Sequence, residues 1–208
     1  FLSLSENRQR IKKNKISKKF NEIFSKNIIN ILPFKLTPDQ KKVMDEINFD
    51  LLDKKRMFRI IQGDVGSGKT IVSFLTIANV IESGYQCALM GPTEILASQH
   101  YNLAKKIFKK INIRIELLTG KTEYKKKNKI LHDLKTGKID FIVGTHALFQ
   151  KKIHFKKLGY IVIDEQHKFG VKQRSDLAKK GGKNCDVLLM SATPIPRTMM
   201  MSLYGDMD

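Results

Sequence analysis

The sequence predicts an α/β fold in which helices cover both faces of a parallel β-sheet. Short apolar runs alternate with longer amphipathic stretches along most of the 208 residues. Continuous apolar runs are typical of strands buried on both faces, and the stretches between them supply the crossover helices. A glycine-rich loop at residues 63–70 joins one such run to one such stretch, which is the position that a phosphate-binding loop takes in α/β proteins.

The predicted elements follow one another in a regular order. Strands are expected in the apolar runs at residues 58–62, 86–90, 113–118, 140–144, 160–164 and 186–190. Helices are expected at 69–83, 94–110, 122–135 and 173–180, where apolar residues recur at helical spacing. A further helix is expected from Pro38 to about Leu51, because Thr37 and Gln40 have the spacing of a capping box.

Residues 1–31 are rich in Lys and contain neither Gly nor Pro. Their apolar residues recur near helical spacing, at Ile11, Ile16, Phe20, Ile23, Phe24, Ile28 and Ile31. We therefore expect a helical linker with a basic face over residues 1–31, followed by one nucleotide-binding domain over residues 32–208. Because the chain begins with Phe1 rather than Met, we expect it to be part of a longer protein.

The chain carries 39 Lys and Arg residues against 20 Asp and Glu residues, a formal net charge of +19. This surplus favours a polyanionic partner, and nucleic acid more than a membrane. The lysines are spread over every segment, however, so general composition is an alternative explanation. Cys87 and Cys185 lie in apolar runs without metal-ligand spacing, which indicates buried thiols in a reducing compartment. No stretch resembles a membrane span, and we expect a cytoplasmic protein.

The phosphate-binding loop matches the complete pattern G-x-x-x-x-G-K-[ST]. It consists of Gly63, Asp64, Val65, Gly66, Ser67, Gly68, Lys69 and Thr70. The glycines allow backbone N–H groups to surround phosphate oxygens, and the helix that begins here adds its positive dipole end. Lys69 is expected to bind the β- and γ-phosphates, and Thr70 to ligate Mg²⁺. The alternative is a glycine-rich turn without a ligand, but the strand–loop–helix context favours a nucleoside triphosphate.

The strand predicted at 160–164 ends in two neighbouring carboxylates, Asp164 and Glu165. Carboxylates after an apolar strand are costly unless they bind a cation or perform a chemical task. We expect Asp164 to hold Mg²⁺ and Glu165 to orient and deprotonate the attacking water, the alternative being two solvated acids. His167 is expected to report the nucleotide state to the rest of the domain, although a single His is more often a surface or core residue.

Small hydroxylic residues follow several predicted strands. Ser191 and Thr193, after the last strand, are expected to couple the acidic strand to a mobile partner segment, with a helix-capping turn as the alternative. Five residues at other strand ends are expected to contact the phosphates of a nucleic-acid strand: Thr93, Thr119, Gly120, Thr145 and His146. Each of these could also be an ordinary helix cap. Their common position at the carboxyl edge of a parallel sheet favours ligand binding.

Gln40 carries two hypotheses that do not exclude each other. It has the position of the capping-box residue described above, reaching back to Thr37. It could also contact the adenine of a nucleotide, with Phe34 stacking nearby.

The order of these motifs resembles the first RecA-like (P-loop NTPase) motor domain of superfamily 2 DExH-type helicases. The matching strings are LPFKLT at 32–37, GDVGSGKT at 63–70, GPTEILA at 91–97, GTHAL at 144–148, DEQHKFGV at 164–171 and SATPIPRT at 191–198. Together they resemble the RecG-type ATP-dependent DNA helicases over about residues 1–208. Gln166 separates the chain from the transcription-repair coupling factors, which typically have Glu there. Lys168 and Ser191 depart from the usual Arg and Thr.

The resemblance implies a helicase that acts on duplex and branched DNA, such as Holliday junctions and stalled replication forks, in DNA repair and recombination. It implies ATP and Mg²⁺ as cofactors, catalytic roles for Lys69, Asp164 and Glu165, and adenine contact for Gln40. It also implies a wedge domain and a second RecA-like domain in the parent chain. Because that second domain supplies arginines to the ATP site, we expect little or no hydrolysis by this chain alone. Two alternatives stay open: a coupling-factor motor, and a nucleotide-dependent DNA-binding module without motor activity.

Overall fold

The computed structural model describes residues 2–5, 15–150, 152–164 and 182–192. Seven strands form one sheet in the order β1-β2-β7-β6-β3-β5-β4. The strands are β1 (Leu2–Ser5), β2 (Phe58–Gly63), β3 (Gln86–Met90), β4 (Ile115–Leu118), β5 (Phe141–Gly144), β6 (Leu158–Ile163) and β7 (Asp186–Ser191). Strands β2 to β7 pair in parallel, and β1 pairs antiparallel with β2. The predicted α/β fold with a parallel sheet is confirmed.

Five α-helices accompany the sheet in the described ranges. They are α1 (Ile23–Ile29), α2 (Pro38–Leu52), α3 (Lys69–Glu82), α4 (Glu94–Ile107) and α5 (Tyr124–Thr136), with short 3₁₀ turns at 108–110, 146–149 and 182–184. Helix α2 begins as predicted, because Thr37 Oγ1 accepts the Gln40 N–H and Gln40 Oε1 accepts the Thr37 N–H. None of these helices combines the length and the apolar character needed to cross a membrane.

The two faces of the sheet bury separate apolar cores. Helices α1 to α4 cover one face, where Phe74 and Phe108 pack with residues of β3, β5 and β6. Helix α5 covers the other face. Alternate residues of β6 belong to opposite cores, with Tyr160 in the first core and Ile161 in the second. This two-sided burial explains why the strands appear in the sequence as continuous apolar runs.

The prediction of a helical linker over residues 1–31 is wrong for most of the described part of that segment. Leu2–Ser5 form a strand, residues 15–20 have no regular structure, and only Ile23–Ile29 are helical. The backbone N–H groups of Lys15 and Lys18 donate to the carbonyls of Lys54 and Leu51 instead of to their own turn. Partners distant in the sequence therefore override the local helical pattern. The helix expected at 173–180 lies outside the described residues, and the boundary between residues 31 and 32 stays a prediction.

A buried charge cluster fixes the 15–20 segment to the start of β7. Lys15 Nζ lies 2.7 Å from both carboxylate oxygens of Asp186, and Lys18 Nζ contacts the same carboxylate. The backbone N–H of Met57 donates to Asp186 at 2.6 Å. All three charged side chains have no exposed surface. Burial lowers the pKa of Lys15, against the opposing attraction of Asp186. The cluster lies at the amino ends of the parallel strands, away from the phosphate-binding loop.

Candidate nucleotide and DNA sites

The phosphate-binding loop connects the end of β2 to the start of α3. Gly66 and Gly68 have φ angles of 84° and 89°, in the left-handed region that favours glycine. The Ser67 N–H donates to the Asp64 carbonyl at 3.1 Å and closes the turn. Val65 at the tip of the loop is 89% exposed. The backbone therefore has the curved form that the sequence pattern predicts.

The side chains of the loop fit a phosphate group. Lys69 Nζ donates to the carbonyls of Gly63 and Asp64, which places the ammonium group within the curve of the loop. The Ser67 Oγ atom is buried and has no hydrogen-bond partner among the residues that the structure describes. An unsatisfied buried hydroxyl is costly, and a phosphate oxygen would satisfy it. Thr70 lies half-buried in the first turn of α3, where the helix dipole also favours an anion.

Gln40 connects the start of α2 to this loop. Its Oε1 accepts the Thr37 N–H at 2.9 Å, and its Nε2 donates to the Ser67 carbonyl at 2.9 Å. The capping-box hypothesis is confirmed, and the contact with the loop was not predicted. One amide N–H and one Oε1 lone pair are left for a further partner, so adenine contact stays a prediction. Phe34 is 48% exposed and lines a hollow of about 520 Å³ beside α2.

The predicted magnesium ligand and the loop lie at the same edge of the sheet. Strand β7 separates β2 from β6, and Ser191 at its end is buried and in register with Gln62. Asp164 follows β6 directly, and its N–H donates to the Met90 carbonyl at 2.9 Å. The structure thus brings the loop, Ser191 and Asp164 to one edge of three adjacent strands. Glu165, His167 and Thr193 lie outside the described residues.

Asp164 pairs with a residue to which sequence reasoning assigned no role. His100 Nε2 lies 2.7 Å from Asp164 Oδ2, with side-chain exposures of 10% and 13%. His100 lies on the buried face of α4 together with Ala97, Ala104 and Ile107. A polar residue at helical spacing on an otherwise apolar face was the signal that could have identified it. A buried polar group of this kind requires a hydrogen-bond partner.

The five predicted DNA contacts follow β3, β5 and β4, which are neighbours at one side of the sheet. Thr93, Gly120 and His146 are exposed, whereas Thr119 and Thr145 are only 8% and 7% exposed. The Thr119 Oγ1 accepts the Lys121 N–H at 3.3 Å within its own turn. The first three therefore lie on the surface at this side of the sheet, and the two buried threonines lie within the turns after β4 and β5. The helix-cap alternative holds for Thr93, whose Oγ1 accepts the Leu96 N–H at 3.2 Å.

Glu94 holds two of these turns together and was missed by sequence reasoning. Its Oε1 accepts the Lys121 N–H at 3.2 Å, and its Oε2 lies 3.3 Å from Lys121 Nζ. The turn after β4 is thereby tied to the first turn of α4, whose N-cap is Thr93.

In the described ranges, no cluster of three or more His, Cys, Asp or Glu side chains could bind a metal alone. A magnesium ion keeps several waters and is usually bound through one or two carboxylates plus substrate phosphates. Thr70 and Asp164 suit a site of that kind, in which the nucleotide contributes the remaining ligands.

A phosphate-binding loop after β2 and a carboxylate after β6, at the same edge of the sheet with β7 between them, define a P-loop nucleotide-binding domain. The pattern of the DEAD/DEAH box helicases matches residues 37–202, and the chain belongs to this family. Membership implies nucleotide binding. ATP-dependent DNA helicase RecG of Thermotoga maritima is 50% identical over 201 residues, which is 97% of this chain and 26% of that protein. RecG of Aquifex aeolicus is 50% identical over 209 residues, which is 100% of this chain and 26% of that protein.

This chain is also similar to solved helicase structures. The structure of RecG bound to a three-way DNA junction matches with a TM-score of 0.82 and 47% identity, over 97% of this chain and 27% of that chain. The crystal structure of the DUF1998 helicase MrfA matches with a TM-score of 0.69 at 19% identity, over 91% of this chain and 32% of that chain, which supports the fold alone. The resemblance to RecG-type helicases inferred from the motifs is confirmed. The chain spans about a quarter of the length of these RecG relatives.

Proposed function

We propose that this chain is the ATP-binding half of the motor of a DNA helicase that acts on branched DNA in repair and recombination. The observation that carries the proposal is the arrangement of the phosphate-binding loop and Asp164 at one edge of the sheet. The structure of RecG bound to a three-way DNA junction, which is 47% identical over 97% of this chain, supports branched DNA as the substrate. Holliday junctions and stalled replication forks are the branched substrates that we propose.

The proposed nucleotide is ATP with Mg²⁺. Lys69 and the backbone N–H groups at the start of α3 bind its phosphates, and Thr70 and Asp164 hold the metal ion. Glu165 accepts the proton of the attacking water. Gln40 and Phe34 bind the adenine. When bound, ATP supplies a cleavable phosphoanhydride, and Mg²⁺ neutralises charge on its phosphates.

The proposed DNA contacts are made by the turns after β3, β4 and β5, where Thr93, Gly120 and His146 are exposed. Such contacts position a nucleic-acid backbone without recognising its bases, and a net charge of +19 favours them. His167, Ser191 and Thr193 are proposed to couple the nucleotide state to the DNA contacts. A second RecA-like domain and a wedge domain of the parent chain are the proposed partners, and the cytoplasm is the proposed location.

The test uses the full-length protein with fork DNA, and it measures ATP hydrolysis and strand separation. Lys69→Ala is expected to abolish both activities. Glu165→Gln is expected to bind ATP normally while the hydrolysis rate falls by about 10²–10⁴-fold, the usual contribution of a general base. Lys42→Ala, an exposed lysine of α2, is the control and should hydrolyse ATP like the wild type.

Two results would contradict the proposal. If fork DNA neither stimulates hydrolysis nor is unwound, the chain does not belong to a helicase motor. If Glu165→Gln hydrolyses ATP at the wild-type rate, another group activates the water.

A further inference from the structure

The carboxylate proposed to hold Mg²⁺ is itself held by a residue of another element. His100 Nε2 and Asp164 Oδ2 are 2.7 Å apart, and both side chains are almost entirely buried, at 10% and 13% exposure. They are 64 positions apart in the sequence. The contact therefore depends on the tertiary fold and cannot form from neighbouring sequence alone.

Both partners are fixed to the same strand, β3. The Asp164 N–H donates to the Met90 carbonyl at 2.9 Å, so the end of β6 stays paired with the end of β3. Gly91 follows Met90, and a Cβ there would lie 3.0 Å from the Ala97 backbone nitrogen. The turn from β3 into α4 is therefore tight, and it brings the buried face of α4 close to the end of β6. His100 lies on that face one turn beyond Ala97.

The hydrogen bond between these two side chains has a defined donor and a defined acceptor. An ionised carboxylate only accepts hydrogen bonds, so a ring N–H of His100 donates to Oδ2. This bond restricts the rotation of the Asp164 side chain. A carboxylate offers about four acceptor positions, of which the hydrogen bond from His100 occupies one. Carboxylates that ligate metals are commonly hydrogen-bonded by a residue behind them, and loss of that residue lowers metal affinity by about 10–100-fold.

We infer that His100 is a positioning residue that orients Asp164 toward the Mg²⁺ of the bound nucleotide. The inference rests on the proposed role of Asp164 as a magnesium ligand. It also gives helix α4 a role at the nucleotide site in addition to its proposed role in DNA contact. Thr93, a proposed DNA contact, is the N-cap of this helix, and His100 lies in its second turn, so one rigid element touches both ligand regions.

The experiment measures the dissociation constant of a fluorescent, non-hydrolysable ATP analogue, with Mg²⁺ and with EDTA, on the full-length protein. His100→Phe retains a ring but removes the N–H donor, and His100→Gln retains a donor on a flexible side chain. His132→Phe, at an exposed position of α5, is the matched control. Thermal unfolding of each variant is recorded in parallel.

His100→Phe is expected to weaken binding by about 10–100-fold with Mg²⁺ and to leave binding in EDTA unchanged within about twofold. His100→Gln is expected to recover most of the loss. In the Asp164→Asn background, His100→Phe should have no further effect on the Mg²⁺-dependent part of binding, because its only route runs through that carboxylate.

The inference is overturned if His100→Phe weakens binding equally with and without Mg²⁺, or if its effect persists in the Asp164→Asn background. If His100→Phe does not fold, His100→Asn replaces it, since its shorter amide removes the donor from the position of Nε2. A different result would contradict the proposed role of Asp164 as a magnesium ligand: Asp164→Asn alone would leave the Mg²⁺-dependent part of ATP-analogue binding unchanged.

Discussion

The side-chain amide of Gln40 donates to the backbone carbonyl of Ser67 at 2.9 Å. The same side chain accepts the Thr37 N–H and completes the capping box of α2. One residue therefore contacts both the start of a helix and the phosphate-binding loop. We expect the stability of α2 and the affinity for nucleotide to be linked through it.

The first prediction concerns Gln40→Glu. A carboxylate oxygen would replace the amide donor that faces the Ser67 carbonyl, which leaves two acceptors opposed in a site only 8% exposed. We expect the free energy of unfolding to fall by about 1–3 kcal/mol and the nucleotide affinity to fall with it. Urea denaturation and binding of a fluorescent ATP analogue measure the two effects. Gln99→Glu, at an exposed position of α4, is the control, and equal behaviour of the two variants would contradict the link.

The second prediction compares two glycines with positive φ angles. Gly68 and Gly84 have φ angles of 89° and 75°, so alanine at either position is destabilising by about 1–2 kcal/mol through backbone strain alone. A Cβ at position 68 would also collide with the Gln40 amide, whereas one at position 84 meets nothing within 4 Å. We expect Gly68→Ala to lower the melting temperature more than Gly84→Ala and to be the only one of the two that weakens nucleotide binding. Similar binding by both variants would show that the loop tolerates the displacement of Gln40.

The third prediction concerns the buried charge cluster. Asp186→Asn removes the negative charge that pairs with Lys15 and Lys18 and leaves two ammonium groups without an ionic partner. Breaking a buried pair in this way typically destabilises a protein by about 3–5 kcal/mol. Asp45→Asn, at an exposed position of α2, should change the free energy of unfolding by less than about 0.5 kcal/mol. Denaturant unfolding distinguishes the two, and a small effect at Asp186 would mean that water enters the cluster.

The fourth prediction is a pH dependence from a buried thiol. Burial raises the pKa of Cys185 from 9.0 to about 12. In the unfolded chain the thiol loses its proton near pH 9, whereas in the folded chain it keeps the proton until about pH 12. Its contribution to stability is therefore complete below pH 9 and is lost as the pH rises toward 12.

Cys185→Ala tests this dependence. The wild type is expected to lose more stability between pH 8 and pH 10 than the variant does, as measured by urea denaturation at each pH. The lowered pKa of Lys15 makes stability rise with pH instead of fall. Lys15 is present in both proteins, so its effect cancels when the two pH curves are compared. Parallel pH curves for the two proteins would contradict the prediction.

Much of the fold could be predicted because its strands are continuous apolar runs with helices between them. Strands β2 to β7 begin and end within about two residues of the six predicted ones, as in β3 at Gln86–Met90, whereas β1 was not predicted. The N-terminal segment could not be predicted in the same way. Its helical spacing is real, but the backbone of residues 15–18 bonds to Leu51 and Lys54, and local spacing contains no information about such distant partners.

The candidate site, like the fold, has one part that the sequence predicts and another that it does not. The phosphate-binding loop is contiguous in the sequence, so its pattern identified every residue from Gly63 to Thr70. The contact between His100 and Asp164 depends on β6 lying beside β3. The order of the strands along the sequence does not show that β6 pairs with β3, so sequence reasoning assigned no role to His100.

The pairing of Lys15 with Asp186 joins residues 171 positions apart, and this separation has a consequence for the order of assembly. A chain grows from its amino end, so Lys15 leaves the ribosome long before its partner has been synthesised. Closing so long a loop is entropically unfavourable until the intervening sheet has formed. We therefore expect the segment at residues 15–20 to reach its final position after the sheet has formed, although it is synthesised before most of the strands.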